Sequence, residues 1–153
     1  MTMRLPYFKL SPKGVEAMRG LQAYVESTGL EPLLLELIKT RASQLNGCAY
    51  CVDKHTRDAR KLGESEARLY AVAVWQESPF FTPRERAALA WCETVTLIAD
   101  DHVPDAAYEE ARAHFSEKEL VDLTFAIIAI NGWNRLAVTF RQQPAAQPAA
   151  AAE

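Results

Sequence analysis

The 153-residue chain is 49% hydrophobic and 24% charged, with 17 basic and 20 acidic residues and a formal net charge of −3. That is enough apolar matter for one soluble core, and the charges form neither a basic stripe for nucleic acid nor an acidic tail. The longest purely apolar run, residues 125–130, is far below the ~20 residues that span a bilayer, so neither nucleic acid nor a membrane is an expected partner.

Residues 1–8 lack the apolar stretch and cleavage site of a secretory signal. The expected location is therefore cytoplasmic, where a structural disulfide is not expected to persist. Ser11-Pro12 opens a first helix that runs to about Ser27, with proline at its first position. Thr28-Gly29 breaks it. Pro32 starts a second helix to about Leu45, with Leu34, Leu37, Ile38 and Leu45 at three-to-four spacing. Asn46-Gly47 closes that helix with residues that tolerate positive φ.

A third helix over about Cys48–Leu62 carries two cysteines and ends at Gly63. A fourth is expected over about Ser65–Gln76. Thr82-Pro83-Arg84-Glu85 is a capping box that starts a fifth helix to about Ala99, burying Leu89, Val95 and Cys92. Pro104-Asp105 begins a short helix to His114, and the capping box Ser116–Glu119 opens a long last helix to Phe140. Residues 142–153 read as a disordered Pro/Ala tail. No stretch of alternating β-branched residues reads as a strand, so the expected fold is all-α, one helical domain over residues 1–141.

The third helix carries the chemistry. At about 100° per residue, Cys48, Cys51, His55, Ala59 and Leu62 share one side, while Asp53, Lys54, Arg57 and Lys61 fall opposite. Both thiols sit in the first turn, where free backbone N–H groups and the helix dipole favour a thiolate. A basic side chain one turn further on completes a recipe for an activated thiol. Two other readings stand beside this one, and a third is excluded. Two cysteines on an apolar stripe are also ordinary packing, and Cys-x-x-Cys with His supplies three zinc ligand types, although no second pair completes a tetrahedral set. Attached c-type haem needs histidine directly after the second cysteine, where this chain has Val52. A thioredoxin scaffold needs a strand before the pair, and none precedes Cys48. Cys92, between Trp91 and Glu93, reads as packing, as do Trp75, Trp91 and Trp133. Projected on the second helix, Glu36 falls opposite the apolar stripe and reads as a surface acid beside Lys39, a pair worth about 0.3 kcal/mol.

Glu36, eleven residues, Cys48-Ala49-Tyr50-Cys51, three residues and His55 together resemble the Glu-x11-Cys-x2-Cys-x3-His pattern of AhpD-like alkylhydroperoxidases. These belong to the all-helical carboxymuconolactone decarboxylase superfamily. Residues 130–136, Ile-Asn-Gly-Trp-Asn-Arg-Leu, are similar to a stretch of its small members, and Tyr50 stands where well-known relatives have histidine.

The resemblance implies a thiol peroxidase without metal or organic cofactor. Cys51 is then the peroxidatic thiolate, Cys48 the resolving thiol, and His55 with Glu36 a proton relay. The substrate is an organic hydroperoxide, and the reductant an external dithiol such as a lipoylated protein. It also implies a homo-oligomer, a trimer or hexamer, which the leucine-rich second helix favours as more apolar surface than one domain hides. Two further readings remain beside the peroxidase: a non-enzymatic thiol sensor or binding protein, and a lactone decarboxylase.

Overall fold

A computed structural model describes residues 2–145 of the chain. Among these residues every regular element is helical, as the periodicity requires. The order is α1 (Tyr7–Leu10), α2 (Pro12–Ser27), α3 (Pro32–Leu45), α4 (Ala49–Lys61), α5 (Glu66–Ala71), α6 (Pro83–Thr96), α7 (Ile98–Asp101), α8 (Asp105–His114) and α9 (Glu117–Phe140).

The local start signals act as read. Thr82 Oγ1 accepts from the Glu85 backbone N–H while Glu85 returns a bond to the Thr82 N–H, and Ser116 and Glu119 repeat this at the head of α9. Gly47 takes φ 64° directly after the end of α3, which is why a glycine stands there.

Three boundaries differ from expectation. The fourth helix stops at Ala71 and tightens into a 3₁₀ turn over Val72–Val74. The fifth ends at Thr96, and Ile98–Asp101 forms a separate turn of helix. The short α1 has no signal in the sequence, because a single turn shows no periodicity and is held by contacts with the far end of the chain. Of the expected tail, Gln142–Ala145 have no regular structure, and residues 146–153 lie outside the described residues.

Helix α3 is the centre of the bundle, contacting α4, α6, α9 and the 3₁₀ turn. Leu34, Leu35, Leu37 and Ile38 are at most 4% exposed, and even Thr40 and Ser43 are fully buried. Leu34, Leu35 and Leu37 are thus hidden within one chain, whereas Leu33 and Leu45 stay partly exposed. The long α9 is apolar enough by composition to cross a membrane, yet Leu123, Ala126, Ile127 and Ile130 are buried in the core. Cys92 is fully buried as expected, whereas Val95 is only partly so.

Candidate active site

Helix α4 begins beside the C-terminal end of α3, and that junction brings the four residues of the sequence pattern together. Cys48 is the N-cap of α4, and its Sγ accepts from the Cys51 backbone N–H at 3.4 Å. The cysteine therefore stands where serine or aspartate usually satisfies a free helix N–H. The Sγ atoms of Cys48 and Cys51 are 2.6 Å apart with both cysteines free. One turn on, His55 Nδ1 meets Glu36 Oε2 at 2.8 Å, and Lys39 Nζ donates to Glu36 Oε1 at 2.8 Å. Glu36, Lys39 and His55 are all buried.

Glu36 is thus no surface acid. The projection correctly paired it with Lys39, but the side of α3 that carries both packs on α4 and is buried, while the partly exposed side carries Leu33, Arg41, Gln44 and Leu45. A periodicity argument separates apolar from polar faces; it cannot tell whether the polar face meets solvent or a second polar element.

Burial pushes the Glu36 carboxyl up, but the His55 hydrogen bond and the Lys39 charge outweigh it and hold the group below its ordinary value. An ionised carboxylate accepts from Nδ1–H, which fixes the tautomer and leaves Nε2 as the open ring nitrogen. Asp58, held down to about 2 by its bonds to Lys54 and Lys61 against the effect of burial, lies close to this pair: donor atoms of Glu36, His55 and Asp58 fall within 4.8 Å of one another. Their carboxylate oxygens are already engaged, at Glu36 by Lys39 and His55 and at Asp58 by Lys54 and Lys61. That is a network suited to moving protons.

The thiols are strongly coupled. The Cys51 S–H brings Cys48 down to about 7 against burial, helped by the Cys51 backbone N–H and the Asn134 amide. Cys51 is correspondingly pushed up, by that same bond, by burial and by the charge on Cys48. Sulfurs this close share one proton, so the first leaves readily and the second is retained. Electrostatics at rest favours the charge on Cys48, whereas access favours Cys51: a cavity of about 450 Å³ is lined by Cys51 and His55 but not by Cys48. A proton hop between sulfurs 2.6 Å apart would move the charge from one to the other. Cys92 is different in kind. Burial pushes its thiol up to about 12, and its Sγ donates to the Ile38 carbonyl at 3.3 Å.

Several site residues have no role in the sequence pattern. Asn134, 1% exposed, donates to Ser43 Oγ and accepts from Asn46 Nδ2, each at 3.0 Å, and its amide lowers both thiols. Asn131 accepts from the same Asn46 amide and donates to Thr96. This buried polar network fixes the α3–α4 turn that presents Cys48. The stretch 130–136 was the signal available for it. Trp133 packs against the core as read and lines the cavity as well. Tyr7 and Phe8 line it too and carry no local signal.

The sequence pattern of the carboxymuconolactone decarboxylase family matches residues 11–94. The uncharacterized protein YdfG of Bacillus subtilis (strain 168) is 41% identical over 147 residues, spanning 96% of this chain and all of that protein. A crystal structure from Agrobacterium tumefaciens, of a protein of unknown function proposed as the antioxidant defence protein AhpD, superposes with a TM-score of 0.93. It is 49% identical and covers 95% of this chain and 100% of its own. The debrominase Bmp8 shares the fold at 22% identity and a TM-score of 0.81, over 91% of this chain and 75% of that one. The chain belongs to the carboxymuconolactone decarboxylase family, and its fold is the all-α AhpD-like one.

Proposed function

We propose that the protein is a thiol-dependent peroxidase that reduces organic hydroperoxides through Cys48 and Cys51. The observation that carries this reading is Cys51 at the wall of a cavity, with a second sulfur 2.6 Å behind it and a carboxylate-oriented imidazole one turn along the helix. The Glu36 and Asp58 oxygens are each taken up by a lysine or by His55, and inert packing does not call for a buried Glu36–His55 pair.

In the first step the Cys51 thiolate attacks the terminal peroxide oxygen. The O–O bond breaks, the alkoxide takes a proton from the His55 side and leaves as an alcohol, and Cys51 becomes a sulfenic acid. Glu36 stabilises the charge that His55 carries as it passes a proton. Cys48 then attacks the Cys51 sulfur, water leaves, and the disulfide forms. An external dithiol, such as that of a lipoylated protein, supplies two electrons by exchange and restores both thiols. The cytosol, which keeps thiols reduced, suits this cycle. We further propose a trimer or hexamer, in which the exposed Val121, Phe125 and Ile128 of α9 are covered; a monomer mass at micromolar concentration would count against it.

The test mixes reduced protein with cumene hydroperoxide, counts free thiols, and traps sulfenic acid in the wild type, Cys48→Ser and Cys51→Ser. Wild type loses both active-site thiols, and Cys48→Ser yields a trapped sulfenic acid at Cys51. Sulfenic acid at Cys48 in Cys51→Ser, with none at Cys51, reverses the roles. No reaction in any form removes the peroxidase reading.

A further inference from the structure

Part of the wall of the cavity that Cys51 lines comes from outside residues 11–94. Tyr7 and Phe8 belong to α1, while Trp133, Ala137 and Gln142 lie on or just after the last turns of α9. Four contacts tie these two ends of the chain together. The Arg4 backbone N–H donates to the Phe140 carbonyl at 2.9 Å, and the Arg4 guanidinium donates to the Thr139 carbonyl at 3.1 Å. The Tyr7 ring stacks on Phe140 with centroids 5.5 Å apart, and the Tyr7 hydroxyl donates to Gln142 Oε1 at 2.5 Å. The N-terminal segment is thus a strap fastened across the site.

The lining is mixed. Arg19 and Glu26 on α2 are exposed and polar, and Gln22 and Lys54 add polar groups, while Tyr7, Val15, Trp133 and Ala137 supply apolar surface. The cavity volume of about 450 Å³ falls within the range of about 300–1,000 Å³ that holds a drug-sized organic molecule, far more than hydrogen peroxide needs. Aromatic walls favour an aromatic guest through edge and stacking contacts.

We propose that this cavity binds a bulky, aryl-bearing substrate with its reactive end at Cys51, and that Tyr7 is the specificity-determining residue. Given the peroxidase reading, on which the assignment of the reactive end rests, the substrate is an aryl-alkyl hydroperoxide. The Tyr7 ring forms the wall while its hydroxyl, tied to Gln142, keeps the strap closed. Its phenol is held above the ordinary value by burial first, and then by the charges of Tyr50, Cys51 and Cys48, which agrees with a place beside the thiols.

Two measurements on full-length protein test this. Calorimetry on reduced protein gives the dissociation constant of cumyl alcohol, the product of cumene hydroperoxide, and requires no turnover. Steady-state kinetics gives the ratio of kcat/KM for cumene hydroperoxide to that for hydrogen peroxide. Cumyl alcohol binds the wild type, and Tyr7→Ala weakens it about tenfold and lowers the ratio about tenfold, while Tyr7→Phe keeps the ring and stays nearer the wild type in both. Phe8→Ala, a change at an exposed residue, lowers the same ratio and serves if Tyr7→Ala fails to fold. Absence of cumyl alcohol binding to the wild type, or equal binding by wild type and Tyr7→Ala, overturns the proposal. Tyr7-dependent binding without any thiol oxidation overturns the peroxidase reading and upholds the cavity as an aryl site.

Discussion

Glu36 Oε2 and His55 Nδ1 lie 2.8 Å apart across the α3–α4 interface, both residues buried and nineteen positions apart in the chain. Lys39 holds the other carboxylate oxygen, also at 2.8 Å. Glu36 is therefore a charged group fixed on both sides, and it orients the imidazole that faces the cavity.

Removing that carboxylate leaves a buried ammonium without its partner. Glu36→Ala is expected to destabilise the protein by about 3–5 kcal/mol, measured by urea unfolding. Lys39→Met, which removes the charge and keeps the stem, is expected to cost less than its mirror change. A loss under about 1 kcal/mol in Glu36→Ala would mean that water reaches the pair. Because the folded carboxyl lies below its ordinary value, its contribution is complete above the unfolded pKa and is lost as pH falls through the folded one.

His55→Ala removes the proton carrier and leaves Glu36 Oε2 without its buried partner, so its folding is verified first by circular dichroism. The rate of the first thiol oxidation by cumene hydroperoxide is expected to fall about 10²–10⁴-fold, read by stopped-flow. An unchanged rate would remove His55 from the mechanism.

The thiol pair predicts a pH profile with a definite direction. Its first proton leaves at about 7, below the ordinary thiol value, so reaction with iodoacetamide should rise with pH through about 7 and level off above it. In Cys51→Ala the Cys48 thiolate loses its S–H donor, and its titration should move back toward 9, the ordinary thiol value. Thiolate absorbance in the ultraviolet follows both. A Cys48 midpoint that does not move would show that the helix N-terminus, and not Cys51, lowers it.

Asn134→Asp keeps the shape and replaces an amide donor with an acceptor that carries negative charge beside both sulfurs. The midpoint of thiol reactivity should shift to higher pH. The variant should also be less stable, because Ser43 and Asn46 lose a well-matched buried partner. A midpoint that stays at the wild-type value would place the side chain of Asn134 in support of the backbone alone.

The two capping boxes are independent and local. Thr82→Ala and Ser116→Ala should each cost about 1 kcal/mol and should add in the double variant, as measured by chemical denaturation.

How much was legible in the sequence follows from the range of each signal. Helix starts at Pro83 and Glu117 were legible because a cap, its proline or its glutamate lie within four residues of one another. The shared face of Cys48, Cys51 and His55 was legible for the same reason, since one turn of helix fixes their relative directions. The end of the fourth helix was not, because the switch to a 3₁₀ turn at Val72 reflects where Val72 and Trp75 must pack against Leu37 and Leu89.

By itself the sequence determined an all-helical chain with a thiol pair and a histidine on one inward face, because those properties depend on neighbours along a single helix. Only the tertiary structure decided that Glu36 is buried against His55, since this depends on α3 being enclosed by α4, α6 and α9. It alone decided that Tyr7 meets Gln142, 135 residues away, and so closes the wall in front of Cys51. Contacts at that separation leave no periodic trace: they are set by how faces pack, and local preference is silent on which face meets which.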